Sequence, residues 1–255
     1  AGWNSRIEFA MHGEPTMNPK APEIIAALRH HLPKSSMLML SNGGNLTLEL
    51  AQAMFDAGLN TLGLDEYQNI KLVPKFLAKV GARWPVLVYP DDPAGNPHAR
   101  QNHKVKRIVH IRPIDLNDTG THASLNNHAG SGAPESDVAM GKPCAKPFRE
   151  FSFRWDGSAA VCCNDWRGEL GVGNIKQGLD AMWNSAEMQA ARRKLILGQR
   201  DFGPCKGCDA LSYRVGLLPD KYGRITLPKP SKADNELLAQ KRKPLTAAVK
   251  REWEK

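Results

Sequence analysis

Four cysteines in the second half of the chain constrain its structure more than any other feature. They come from three separated segments, the last holding two of them as CKGC, and they are Cys144, Cys162, Cys205 and Cys208. Thiolates from separate segments can converge on one point, and four of them suit either a tetrahedral Zn²⁺ or an iron–sulfur cluster. The pattern predicts a metal or cluster site, with buried structural thiols as the alternative.

The composition indicates a globular protein of a reducing compartment. Of the 255 residues, 41% are hydrophobic and 24% are charged. No apolar run approaches the roughly 20 residues that a membrane-spanning helix needs. Five cysteines are too few for a disulfide scaffold, and in a reducing compartment their thiols stay available to a metal. We therefore expect a cytoplasmic protein that does not bind membranes.

Positive charge is concentrated at the C-terminal end. The net charge of the chain is +9, and residues 221–255 contain ten Lys and Arg residues against four acidic ones. Such a tail can bind nucleic acid, but no aromatic platform is interleaved with these charges to stack on bases. We expect residues 216–255 to be a solvated basic tail, and we do not expect nucleic acid as a partner.

Residues 1–114 alternate strands and helices in the manner of an α/β protein. Short apolar runs predict five strands, at Ile7–Ala10, Met37–Leu40, Asn60–Leu64, Val86–Tyr89 and Arg107–Ile111. Amphipathic segments predict three helices. The first is Glu23–Leu32, the second runs from the N-cap Thr47 to Ala57 and is followed by Gly58, and the third is Ile70–Val80. This spacing indicates βα units around a parallel sheet. Five strands are too few for a closed barrel, so we predict a partial (β/α) barrel.

The rest of the chain reads as a linker followed by a small α+β module. Residues 115–142 are rich in Gly, Ser, Asn and Asp without an apolar period, which predicts a linker. In residues 143–215, Asp156-Gly157 between two short apolar runs predicts a β-hairpin. Asn184-Ser185 then caps a helix that ends at Gly198 and returns the CKGC segment towards the hairpin.

This module resembles the SPASM or Twitch extension of radical S-adenosylmethionine enzymes. The resemblance rests on an ordered series: Cys144, Pro147-Phe148, Asp156-Gly157, Cys162 five residues later, Leu170–Ile175, Trp183-Asn184, Arg192-Arg193 and CKGC. It implies that Cys144, Cys162, Cys205 and Cys208 bind one auxiliary 4Fe–4S cluster. Cys163 is not expected to be a ligand, because neighbouring side chains of an extended strand point to opposite faces.

Three segments that follow predicted strands resemble the barrel of the same enzymes. His12–Pro15 is similar to the family's GGEP motif, Ser41–Gly43 to its TNG segment and Leu64-Asp65 to its SLD element. All lie at carboxyl ends of strands, where α/β folds bind ligands, although each would be ordinary turn chemistry if it stood alone. The resemblance implies an S-adenosylmethionine site formed by Gly13, Glu14, Pro15, Ser41, Asn42 and Asp65. His12 departs from the family pattern, because it replaces the first glycine.

The motif CxxxCxxC, which holds the catalytic 4Fe–4S cluster in that family, is absent from this sequence. No cysteine precedes Cys144. We therefore expect the sequence to be a piece of a longer parent that carries this motif, and to be inactive alone. In such a parent, the resemblance implies reductive cleavage of S-adenosylmethionine to methionine and a 5′-deoxyadenosyl radical, which takes a hydrogen atom from the substrate.

The resemblance implies a peptide or protein substrate and a one-electron donor such as flavodoxin or ferredoxin. It assigns no catalytic residue. Two alternatives remain open at this point. One is a Cys₄ zinc protein that binds nucleic acid or another macromolecule, and the other is a catalytically dead radical-enzyme relative that acts as a scaffold.

Overall fold

The computed structural model describes residues 5–67, 78, 83–88, 107–114, 126–211 and 230–239. The chain forms two compact units, one ending at residue 125 and the other beginning at residue 126. Within the described ranges, no helix is both long enough and apolar enough to cross a membrane.

The first unit contains a five-stranded parallel sheet. Its strands are β1 (Ile7–Phe9), β2 (Met37–Ser41), β3 (Thr61–Tyr67), β4 (Val86–Val88) and β5 (Ile108–Ile114). These match the predicted strands, but their spatial order is β1-β2-β3-β5-β4 and not the order of the sequence. β3 and β5 pair over seven residues, whereas β4 has three. The longest ladder is therefore internal, and the short strand takes the edge.

Two helices cover this sheet, α1 (Ala21–His31) and α2 (Leu48–Asp56). Both follow the sequence prediction closely, because their ends are set by local signals. The Thr47 hydroxyl accepts a hydrogen bond from the backbone N–H of Leu50 at 3.1 Å, and Gly58 has a φ of +111° after the end of α2. The predicted helix Ile70–Val80 lies outside the described residues apart from Ala78. The core between these layers consists of buried side chains, among them Ile25, Met37, Met39, Met54, Phe55, Leu62 and Val109.

The second unit is built on a three-stranded antiparallel sheet in the order β6-β7-β8. Its strands are β6 (Ser152–Phe153), β7 (Ser158–Ala160) and β8 (Gly171–Asn174). The predicted hairpin joins β6 and β7. Gly157 has a φ of +77°, and the Asp156 carboxylate accepts a hydrogen bond from the backbone N–H of Ser158 at 2.9 Å. The turn forms because these two residues tolerate a conformation that most others avoid.

Four helices surround this sheet, α3 (Lys146–Arg149), α4 (Leu179–Trp183), α5 (Ala186–Ile196) and α6 (Lys232–Ala239). The predicted cap is present, since the Ser185 hydroxyl accepts a hydrogen bond from the backbone N–H of Met188 at 3.2 Å. Met188, Ala191 and Leu195 on α5 are buried in the same core as Cys144, Cys162 and Cys205. Helix α5 thus forms one wall of the cysteine-bearing core.

Helix α6 belongs to the segment that we predicted to be a solvated tail, and it is docked instead. Arg193 on α5 donates two hydrogen bonds to the Asp234 carboxylate, which hold the pKa of Asp234 at about 2. Lys194 donates to the Asn235 side chain at 2.7 Å, and Leu238 is buried in the core. The positive charge of the segment did not predict this contact. The contact depends on Asp234 and Leu238, which are four residues apart and therefore lie on one face of α6.

Candidate functional site

The second unit brings the four predicted cysteine ligands into one neighbourhood. Cys144 lies two residues before α3, Cys162 two residues after β7, and Cys205 and Cys208 frame the CKGC turn. All four thiols are buried, and none forms a disulfide. Burial raises the pKa of Cys205, and the neighbouring charges of Cys162, Cys144 and Cys208 raise it further. Cys205 is therefore close enough to interact electrostatically with each of the other three thiols.

This donor set fits an iron–sulfur cluster. Four buried thiolates are soft ligands, and burial raises the pKa of Cys144, Cys162 and Cys205, so a bound cationic centre is needed to keep them deprotonated. Among the described residues, no three His, Cys, Asp or Glu side chains are arranged to hold a single metal ion. A Zn²⁺ ion with Zn–S distances of about 2.3 Å requires a tight tetrahedron of sulfurs. A polynuclear cluster accepts ligands that stand further apart.

The adjacent thiols of Cys162 and Cys163 face different surroundings. Cys162 is buried, whereas Cys163 is half-buried and its sulfur lies 3.2 Å from Lys146 Nζ. The backbone N–H of Cys163 also donates to the Glu150 carboxylate at 3.2 Å. Both cysteines lie in a bend after β7 and not in the strand, so the alternation of an extended strand is not what separates them. Lys146 and Glu150, on and beside α3, are therefore the hydrogen-bond partners of Cys163.

Asn127 fixes the CKGC turn from a distance, and the sequence analysis did not identify it. Its side-chain amide donates to the carbonyl of Gly207 at 2.8 Å and to the carbonyl of Pro134 at 3.0 Å. The backbone N–H of Asn127 donates to the Asp209 carboxylate at 2.9 Å. The segment 126–142, part of the predicted linker, is thus bonded to the cysteine-bearing turn. No sequence signal marks this residue, because its contacts with Gly207 and Asp209 join positions 80 and 82 apart.

Gly207 is required by the geometry of the same turn. Its φ is +77°, and a Cβ added there would lie 2.6 Å from the side chain of Glu135. A glycine is therefore the residue that lets Cys205 and Cys208 turn towards the same point while segment 126–142 packs against them.

A second group of predicted site residues lies at the carboxyl edge of the parallel sheet. The Glu14 carboxylate accepts hydrogen bonds from the Ser41 hydroxyl at 2.7 Å and from the backbone N–H of Asn42 at 2.7 Å. It also accepts from the backbone N–H of Thr16 at 2.9 Å. Burial tends to raise the pKa of Glu14, but these hydrogen bonds outweigh it and hold the pKa below 4.5. The structure thus joins Glu14, Ser41 and Asn42 in one network.

The remaining predicted residues are Gly13, Pro15 and Asp65, and Asp65 lies within β3 and not after it, because the strand runs to Tyr67, beyond the predicted end at Leu64. Gly13 and Pro15 flank Glu14, and Pro15 begins a 3₁₀ turn that ends at Met17. Asp65 is a buried residue of β3, one position beyond the pairing of Ser41 with Leu64. His12 has a φ of +56°, so it adopts the glycine-like backbone conformation even though it carries a side chain.

Comparison with known proteins agrees with this arrangement. Residues 144–209 match the SPASM family, an iron–sulfur cluster-binding domain. This segment is therefore similar to the SPASM domain. No curated protein matches the sequence.

Two crystal structures share the fold. The structure of BtrN in complex with AdoMet and 2-DOIA has a TM-score of 0.59 and 19% identity, over 82% of this chain and 74% of that one. The structure of selenomethionyl BtrN in an open conformation has a TM-score of 0.53 and 16% identity, over 80% and 71% of the two chains. This shared fold confirms the predicted α/β fold class.

Proposed function

We propose that this chain is part of a radical S-adenosylmethionine enzyme, and that its SPASM domain holds one auxiliary 4Fe–4S cluster through Cys144, Cys162, Cys205 and Cys208. The observation that carries the proposal is the convergence of four buried thiols within a domain of an iron–sulfur family. The separate orientation of Cys163 supports the choice of Cys162 from the adjacent pair.

When bound, such a cluster supplies one-electron transfer, at a potential that burial and hydrogen bonds to its sulfurs adjust. The residues of this chain would set those conditions. Apolar side chains pack around Cys144, Cys162 and Cys205. Buried Asn164 donates from its amide towards the sulfur of Cys208 at 3.6 Å, which would stabilise a thiolate there.

The carboxyl edge of the parallel sheet is the proposed S-adenosylmethionine site, formed by Gly13, Glu14, Pro15, Ser41, Asn42 and Asp65. The fold shared with BtrN, whose crystal structure contains AdoMet, supports this placement. Glu14 already accepts hydrogen bonds from three groups of this chain, so its role is to hold the loop after β1 against the end of β2. The ligand would then contact the loop backbone that Glu14 positions.

All five cysteines lie at or after residue 144, so a catalytic cluster bound by CxxxCxxC requires thiols outside this sequence. We propose that the complete protein supplies them and receives electrons from a flavodoxin or a ferredoxin. We also propose a peptide or protein substrate. The proposals on the electron donor and on the substrate rest on the SPASM resemblance alone.

The test compares the complete protein with the present chain. Each is reconstituted anaerobically with iron and sulfide and then incubated with S-adenosylmethionine and dithionite. We expect the complete protein to release 5′-deoxyadenosine, and the present chain to bind iron in its SPASM domain without releasing it. If the complete protein loads its clusters and releases no 5′-deoxyadenosine, the scaffold alternative replaces the enzyme.

A further inference from the structure

Arg200 is a fully buried arginine beside the four thiols. It is 1% exposed. Its guanidinium donates to the backbone carbonyls of Lys142, Pro143 and Ala210 at 2.9, 3.3 and 3.0 Å. Among the residues that the structure describes, no carboxylate forms an ion pair with it. Carbonyl dipoles solvate the guanidinium in part, but they carry no negative charge to balance it.

Buried charges normally have a partner, because burial of an isolated ion is expensive. Two lysines of the same unit follow this rule. Lys194 lies 2.7 Å from the Asp201 carboxylate, and Lys146 lies 3.4 Å from that of Glu150. Arg200 therefore differs from both lysines, and its counter-charge has to come from another source.

The hydrogen bonds of Arg200 place it beside the cysteine-bearing segments. Lys142 and Pro143, whose carbonyls accept from the guanidinium, directly precede Cys144, and Ala210 lies two residues after Cys208. The guanidinium is thus held by the backbone that carries Cys144 and the CKGC turn. Four thiolates around an iron–sulfur core give a group of net negative charge, which becomes more negative on reduction.

We propose that Arg200 is the buried counter-cation of the auxiliary cluster and raises its reduction potential. A fixed positive charge in a low-dielectric interior favours the more negative, reduced state of the cluster. This inference rests on the proposed function, in which Cys144 and Cys205 are two of the four cluster ligands. Arg200 does not ligate iron, so it acts on the cluster through space.

The experiment is a redox titration of the reconstituted chain, followed by electron paramagnetic resonance of the reduced cluster. Arg200→Met removes the charge at similar volume, and Arg200→Lys retains it. Arg192→Met is the matched control, because Arg192 is also buried and bonded to carbonyls, and it stacks on Trp183 at 4.0 Å.

At the solution potential where the wild-type cluster is half reduced, we expect Arg200→Met to lower the ratio of reduced to oxidised cluster about tenfold, or about 59 mV for one electron. Arg200→Lys and Arg192→Met should stay within about twofold of wild type by the same constant. An unchanged potential in Arg200→Met at full iron content would overturn the inference. An equal shift in Arg192→Met would overturn it as well.

The variants also separate an electrostatic role from a structural one. Arg200→Gln, which keeps donors for the carbonyls, replaces Arg200→Met if the latter does not fold. A folded neutral variant that cannot take up iron, while Arg200→Lys can, supports the inference. If neither neutral variant folds without iron, Arg200 is structural and the inference is wrong. If the wild-type chain itself binds no iron, the failure belongs to the proposed function and not to Arg200.

Discussion

The carboxylate of Glu14 accepts a hydrogen bond from the backbone N–H of Asn42 at 2.7 Å, which joins the loop after β1 to the end of β2. The same carboxylate accepts from the Ser41 hydroxyl and from the backbone of Thr16. One acidic residue therefore sets the shape of two neighbouring loops at the edge where the fold would bind its ligand.

Replacing this carboxylate should loosen the first unit. We expect Glu14→Gln to lower the free energy of unfolding by about 1–2 kcal/mol, because hydrogen bonds to an ionised acceptor become bonds to a neutral one. Urea unfolding at pH 7 measures this loss. Glu23→Gln, at an exposed position of α1, is the control and should change stability by less than about 0.5 kcal/mol. Equal losses in the two variants would contradict the role of Glu14.

The pH dependence of this loss has a defined sign. The pKa of Glu14 is lower in the folded chain than its usual value of 4.5, so its ionised form stabilises the fold. This stabilisation is complete above pH 4.5 and is lost as the pH falls through the folded pKa. The stability difference between wild type and Glu14→Gln should therefore be constant from pH 7 to about pH 5 and shrink below that range. A difference that grows on acidification would show that the sign is wrong.

His12 offers a test of backbone strain in the same loop. At a φ of +56°, a β-branched residue is strongly disfavoured, whereas glycine is tolerated. We expect His12→Val to be less stable than His12→Gly by about 1–2 kcal/mol in thermal or urea unfolding. Equal stability of the two variants would mean that the loop does not hold this conformation in solution.

Local signals explain which parts of this structure the sequence could predict. The Asp156-Gly157 turn, the Thr47 and Ser185 caps and the strands of the first sheet depend on residues within a few positions of one another. The position of β4 outside β5 depends on competition between distant strands, which local patterns do not record.

The site follows the same division. The cysteine spacing predicted four ligands whose thiols are all buried in the second unit, and the motifs predicted that Glu14, Ser41 and Asn42 lie near one another. Other features depend on hydrogen bonds between segments that are far apart in the sequence. These are the bonds from Asn127 to the CKGC turn, from α5 to α6, and from Arg200 to the carbonyl of Lys142. Polar residues of this kind look like ordinary loop or helix residues until the fold brings their partners to them.

Removing the Asn127 side chain should weaken the CKGC turn. Asn127→Ala leaves the carbonyls of Gly207 and Pro134 without their donor, and we expect a loss of about 2–4 kcal/mol. The neighbouring Asn126→Ala removes a single bond to the backbone N–H of His128 and should cost at most about 1 kcal/mol. Denaturant unfolding, together with the rate of iron loss to a chelator, compares the two variants. Similar iron loss in both would contradict a specific role for Asn127.

The two adjacent cysteines should differ sharply in their effect on metal binding. Cys162→Ala removes a thiol that lies among the other ligands, so we expect most of the iron to be lost after reconstitution. Cys163→Ala removes a thiol that contacts Lys146, so the iron content should stay close to that of wild type. Loss of iron in Cys163→Ala but not in Cys162→Ala would mean that Cys163, and not Cys162, is the ligand.

The identity of the bound metal tests the central claim most directly. The chain is purified and reconstituted anaerobically, and iron, acid-labile sulfide and zinc are then quantified per chain. Four cysteine ligands predict about four iron atoms per chain, with matching sulfide and a paramagnetic signal after one-electron reduction. Stoichiometric zinc without iron would contradict the account and would establish a structural Cys₄ zinc site in its place.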